Sequence, residues 1–113
     1  MRTVNRSALV VRPRDPYLRW ASELDEDSAG LAESIRGKSS VYLVAPDPQE
    51  EHESAPIEQY YERIFELELE AWHTDPDDWP RVRDYRTFQE WFDVDAESIV
   101  VDLEGSPLRG EHI

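Results

Sequence analysis

The sequence predicts a mixed domain, α/β or α+β, in which helices pack on a small three-stranded sheet. Three observations carry that expectation. Residues 7–11 (Ser-Ala-Leu-Val-Val) and 41–44 (Val-Tyr-Leu-Val) are short apolar runs without helical spacing, which read as strands. Residues 56–72 repeat apolar side chains every three to four positions, as a buried helix face does. Residues 98–104 alternate, with Ile99, Val101 and Leu103 on one side and Ser98, Val100, Asp102 and Glu104 on the other.

The first run does not alternate, which predicts a strand covered on both faces, and Arg12-Pro13 ends it. Asp15-Pro16 predicts a helix start, with Asp15 as N-cap and proline where no N–H is needed. Tyr17, Leu18, Ala21 and Leu24 continue that helix on one face, with Trp20 beside it. A short helix over 29–36 carries Leu31, Ala32 and Ile35, and Gly37 suits a left-handed position after it. The run at 41–44 is again apolar throughout, predicting a second strand with both faces covered. Proline-rich residues 45–48 stop it, and 49–54 form an acidic loop.

The long helix over 56–72 presents Ile57, Tyr60, Tyr61, Ile64, Leu67, Ala71 and Trp72, widened by Phe65 and Leu69. Residues 73–83 are dense in turn formers. Thr87-Phe-Gln-Glu90 fits a capping box that opens a helix carrying Phe88, Trp91 and Phe92. The alternating 98–104 stretch is the third strand, half-covered or at an edge. The order is strand, helix, short helix, strand, long helix, short helix, strand, with right-handed crossovers wherever strands run parallel. A chain of 113 residues fits one domain over 1–113, with 105–113 a loose tail.

Charge narrows the function classes. Asp and Glu number 26 against 12 Lys and Arg, a net charge of −14. That argues against direct binding of nucleic acid or anionic membrane, both of which need a cationic face. With no cysteine there is no disulfide, thiolate metal site or thiol nucleophile. No apolar run approaches the roughly 20 residues of a membrane span. Residues 1–6 lack a signal-type apolar stretch, so the expected location is cytoplasmic. Of the 12 basic residues only Lys38 is lysine. GC-rich coding, a saline host or imitation of nucleic-acid charge would each produce that bias; at 1 M salt the Debye length falls to about 3 Å and self-repulsion fades.

Several residues stand out as candidates for chemistry. His73-Thr-Asp-Pro-Asp-Asp78 could offer nitrogen and oxygen to a divalent metal, yet it lacks zinc-enzyme or calcium-loop spacing, so it reads as a solvated turn. Trp79, between Asp78 and Pro80, is the tryptophan most suited to line a pocket. Arg12, at the end of the first strand, and Arg86, before the capped helix, could grip a carboxylate or phosphate. The structural alternative pairs Arg12 with a carboxylate such as Asp75 or Asp15. Glu58, Glu62, Glu66 and Glu70 recur every four residues and form one acidic ridge. Each like-charge step costs about 0.2–0.5 kcal/mol, so three steps cost about 1 kcal/mol, which Arg63 relieves in part through Glu66. There is no Gly-x-Ser-x-Gly elbow and, with four glycines in the chain, no phosphate-cradling loop.

Residues 6–20 (Arg-Ser-Ala-Leu-Val-Val-Arg-Pro-Arg-Asp-Pro-Tyr-Leu-Arg-Trp) resemble the opening of a family of small, acidic, uncharacterised bacterial proteins. There a strand ending in Val-Arg-Pro leads into a Pro-aromatic-x-x-Trp helix. The stretches Ala71-Trp-His-Thr-Asp75, Trp79-Pro80, Arg86-Thr-Phe88, Glu90-Trp-Phe92 and Ile99-Val-Val-Asp-Leu103 are similar too. The resemblance implies a shared fold and brings no activity or cofactor. The VacJ label some of these proteins carry does not suit a chain without a cysteine to acylate or an export signal.

The expectation is therefore a non-enzymatic interaction or regulatory module with no cofactor and no metal. It would meet a protein partner through Glu58, Glu62, Glu66 and Glu70 or through the Trp79 loop. Two alternatives stand beside it. One is a small-molecule or metal-dependent enzyme with Arg12, Asp75, Trp79 and Arg86 around one pocket. The other is a nucleic-acid mimic presenting two acidic rows to a basic partner.

Overall fold

The computed structural model describes residues 1–46 and 55–111, so the acidic loop expected at 49–54 lies outside the described residues. The elements run β1 (Arg2–Thr3), β2 (Ser7–Pro13), α1 (Asp15–Glu23), α2 (Ser28–Ser34), β3 (Ser40–Val44) and α3 (Ala55–Trp72). A 3-10 turn (Pro76–Asp78), α4 (Tyr85–Trp91), β4 (Phe92–Glu97) and β5 (Val101–Asp102) follow. No described helix is long and apolar enough to cross a membrane.

β2 is the central strand of a three-stranded sheet, antiparallel to β3 on one side and β4 on the other. With neighbours antiparallel and helices gathered on one face, the fold is α+β, and parallel crossovers do not arise. Leu9 and Val11 of β2, Val44 of β3 and Phe92 of β4 meet Tyr17 and Leu18 of α1, four residues of α3, and Phe88 of α4. Phe65 and Phe88 are the largest fully buried side chains. Phe65 stands edge-on to Phe92, with ring centres 5.5 Å apart, and Phe88 lies 5.2 Å from Phe92. Each such aromatic pair adds about 0.5–1.5 kcal/mol beyond the area it buries.

Several expectations change. The third strand of the sheet is β4, not residues 98–104. α4 passes into β4 without a turn residue, because Phe92 takes extended backbone at the helix C-cap while its ring stays in the core. Val101 and Asp102 pair instead with Thr3 and Arg2 in a separate two-stranded ladder. Four residues separate Thr3 from Ala8, whereas three separate Glu97 from Val101, so the ribbon slips by one residue as at a bulge.

β3 is covered on one face, not two, with Val41 and Leu43 exposed, whereas β2 keeps Ala8 buried and Val10 half-buried on its outer face. Leu31 is 62% exposed rather than packed, and Ala71 too faces solvent, while Phe65 and Leu69 form the centre of the α3 stripe. Asp15 is not the N-cap of α1. Arg14 holds that position without a side-chain cap, and Asp15 instead accepts from Arg36 at 2.7 Å, tying α1 to the end of α2. Asp84 rather than Thr87 caps α4: its carboxylate accepts from the Thr87 N–H at 2.8 Å and the Thr87 hydroxyl at 2.6 Å. Those Thr87 hydrogen bonds hold the Asp84 carboxyl below its usual range. Gly37 does take the left-handed conformation, φ 81°, just after α2.

Candidate functional site

The uncovered face of the sheet follows from register. Ala8 sits between Leu43 and Glu97, Val10 between Val41 and Asp95, and Arg12 beside Asp93. Because side chains alternate along a strand, these residues share the face turned away from Leu9 and Val11. Val41 is 61% and Leu43 47% exposed. The face is therefore divided: an apolar strip on β2 and β3 borders an acidic row, Asp93, Asp95 and Glu97, on β4. Arg12 reaches diagonally across and places Nη1 2.8 Å from Asp95 Oδ2. Among the described residues, Asp93 and Glu97 make no ion pair.

Each of the predicted pocket residues has a partner of its own. Arg12 lies inside β2 rather than beyond its end, and its carboxylate is Asp95, not Asp75 or Asp15. Asp75 accepts from the Asp77 N–H at 3.0 Å as cap of the 3-10 turn. The Trp79 indole donates to the His73 carbonyl at 2.8 Å, and Arg83 lies 5.8 Å from its ring centre. Arg86 is inside α4 rather than before it; its side chain is 87% exposed and lies 3.5 Å from Glu90. His73 Nε2 meets Asp78 at 2.8 Å, and Trp20 donates to the Asp78 carbonyl at 2.9 Å. The 73–79 loop is thus pinned by its own side chains and by Trp20 of α1. No group of three or more metal-ligating side chains occurs among the described residues.

Glu58, Glu62, Glu66 and Glu70 are exposed along the outer side of α3. No ion pair joins Arg63 to Glu66 among the described residues. This ridge lies on α3, which packs on the covered face of the sheet, whereas the β4 row lies on the other face of the sheet. Glu68 departs from the ridge and turns inward. It accepts from Tyr42 Oη at 3.0 Å, while its backbone carbonyl accepts from Tyr17 Oη at 2.7 Å. Burial pushes the Glu68 carboxyl up, against hydrogen bonds from Ser40 and Tyr42 that hold it down. Burial, with Glu68 nearby, also drives the Tyr17 and Tyr42 hydroxyls well above the usual tyrosine range. Sequence reasoning missed Glu68, although its spacing of four from Ile64 and three from Phe65 places it on the core side.

Comparison with family models, with curated proteins and with solved structures finds no match.

Proposed function

We propose that this chain is a non-enzymatic interaction module that docks a protein segment on the open face of its sheet. The observation that carries the reading is the exposure of Val41 and Leu43 beside Val10, bordered by Asp93, Asp95 and Glu97. The fitting partner is a basic amphipathic segment. Its apolar side chains would cover the strip, and its Lys or Arg side chains would meet the acidic row. Fully burying an aliphatic side chain is worth about 1.5–3 kcal/mol, so covering the exposed parts of Val41 and Leu43 contributes about 2 kcal/mol. The acidic row adds attraction at long range and speeds encounter with a cationic partner.

This reading moves the docking surface away from Glu58, Glu62, Glu66 and Glu70 and from the Trp79 loop. Beside the ridge Leu67 is half-buried and Ala71 is small, a lesser apolar border than Val41 and Leu43, and Trp79 is committed to His73 and Arg83. The enzyme alternative draws no support from Arg12, Asp75, Trp79 and Arg86, each engaged locally. The mimic needs two acidic rows on one surface, and these rows belong to different elements, α3 and the outer face of β4. The resemblance to small acidic bacterial proteins implies a fold alone and leaves the reading as it stands.

The test is affinity capture from the native host followed by mass spectrometry, with three baits: wild type, Val41→Ser with Leu43→Ser, and Gln at positions 58, 62, 66 and 70. A basic protein held by wild type and the Gln bait but lost from the Ser bait supports the open face. Retention by the Ser bait with loss from the Gln bait returns the function to the α3 ridge.

A further inference from the structure

β4 is an edge strand, and the phase of its ladder decides which backbone groups it leaves over. The Arg14 N–H donates to the Trp91 carbonyl at 2.8 Å, in line with the register that sets Arg12 opposite Asp93, Val10 opposite Asp95 and Ala8 opposite Glu97. Antiparallel ladders bond through every second residue. Asp93, Asp95 and Glu97 therefore turn their N–H and C=O groups to β2, whereas Phe92, Val94 and Ala96 turn theirs to the outer edge. α4 takes up the Phe92 N–H through the Phe88 carbonyl. Among the described residues no group bonds the N–H and C=O of Val94 and Ala96. Along this edge runs an open groove of about 610 Å³, walled by Ile57 of α3 and by Tyr85 and Gln89 of α4. Ala96 is exposed in it, although it sits on the Phe92 face. At the Phe92 end, the Arg14 guanidinium donates to the Gln89 carbonyl at 3.0 Å.

We propose that the β4 edge accepts an extended peptide as a fourth, antiparallel strand, and that this peptide alternates basic with apolar residues. Main-chain bonds to Val94 and Ala96 hold it, as in strand addition generally. Side chains set the pattern. Peptide residues opposite Asp93, Asp95 and Glu97 share the outer face with three carboxylates, of which Arg12 meets only Asp95. Lys or Arg fits there, since opposite charges favour a cross-strand pair and like charges oppose it. The residues between them turn to the groove, towards Ile57 and Tyr85. A second copy of the chain does not fit, because β4 paired with itself would set one acidic row against another. The site goes beyond the open-face reading: it uses the acidic row but neither Val41 nor Leu43, which lie on β3 at the other edge of the sheet.

The experiment titrates the full ¹⁵N-labelled chain with the acetylated, amidated peptide Lys-Val-Lys-Val-Lys and follows the amides of Val94 and Ala96. These are expected to shift with saturation, and the block peptide Lys-Lys-Lys-Val-Val should bind about tenfold more weakly or worse. Methylating the valine nitrogens, which pair with β4, should cost at least about tenfold, whereas methylating the lysine nitrogens, which point away, should cost less. Ala96→Pro removes an edge N–H that β2 does not use, so the fold should stand while affinity falls about tenfold. Should that variant unfold, the two methylated peptides still decide. Val41→Ser with Leu43→Ser should leave the affinity unchanged, so this site and the open-face reading can fail separately. A loss in that variant moves the peptide to the open face and overturns the edge site. Equal binding of the alternating and block peptides, or of the two methylated ones, overturns strand addition, as does absence of shifts at about 10 mM peptide.

Discussion

The two faces of the sheet are built from alternate residues of the same three strands, yet they meet opposite environments. Leu9, Val11, Val44, Phe92 and Val94 are covered by helices, whereas Val10, Val41 and Leu43 lie on the other face with the β4 carboxylates, where Ala8 alone of the apolar residues is buried. β4 shows the division within six residues: Phe92 is buried and Val94 half-buried on one face, Asp93, Asp95 and Glu97 are exposed on the other, and Ala96, on the Phe92 face, is exposed as well. On β2 and β3 apolar residues occupy both sides. Stability comes from the covered set. The open apolar set gains nothing until something else covers it, which is why we read it as function.

The sharpest way to break this comparison is to remove an anchor of the covered face. Phe65→Ala deletes a fully buried ring that packs against Phe88, Trp91 and Phe92. A cost of about 3–5 kcal/mol is expected, which for a chain of this size lowers Tm by on the order of 15 °C. Calorimetry on the variant checks it. A drop of only a few degrees would mean that the α3 packing described above is not what holds the sheet.

Much of the fold was legible because periodicity reports burial directly. α3 and the central strand stood out from apolar spacing alone, and Gly37 from its chemistry. Two features were hidden for physical reasons. An unbroken apolar run reads as two covered faces, and a local pattern does not distinguish a helix covering the second face from a face left open. β4 was masked because Phe92 serves two elements in succession, so its ring was assigned to the helix before it. The site was less legible still. Arg12 and Asp95 are 83 residues apart, and their pairing depends on strand register, which the sequence leaves open until β4 is placed. Glu68 was obscured by its neighbours: in a chain with 26 acidic residues, one inward carboxylate carries no compositional mark.

Smaller effects sharpen the contrast. Asp84→Ala removes the cap that positions Phe88, and about 1 kcal/mol of stability should go with it. Thr87→Val, which leaves the Thr87 N–H bond to Asp84 intact, should cost less; the reverse order in urea denaturation would restore the capping box to Thr87. The α3 ridge should make stability rise with salt, by about 1 kcal/mol between low and molar NaCl. Gln at 58, 62, 66 and 70 should flatten that rise. A flat or falling wild-type response would instead point to a ridge shaped for a partner.

Glu68 gives a pH test with a definite sign. Its folded carboxyl titrates above the ordinary 4.5 because burial penalises the charge. In that window the folded chain holds more protons than the unfolded one, so this group's contribution to stability falls as pH rises. Asp15, Glu33 and Asp84, held low by hydrogen bonds from Arg36 and Thr87, push the total the other way. The difference between wild type and Glu68→Gln isolates the Glu68 contribution. Denaturation from about pH 4 to pH 7 should show wild type losing ground to the variant; a difference that grows in favour of wild type would place Glu68 in a net favourable pair.

The smallest expected change in stability tests the comparison most directly. Val41→Ser and Leu43→Ser remove apolar surface that the folded chain leaves in water, so each should shift stability by less than about 0.5 kcal/mol. Val11→Ser, on the neighbouring strand but facing the core, should be severely destabilising, because it buries an unsatisfied hydroxyl and opens a cavity. The serine pair should also lower self-association, since an exposed apolar strip beside an edge strand invites pairing with another chain. Light scattering and denaturation of the three variants read both effects. If the serines on β3 destabilise as Val11→Ser does, then something in the chain already covers that face, and the docking surface must be sought elsewhere.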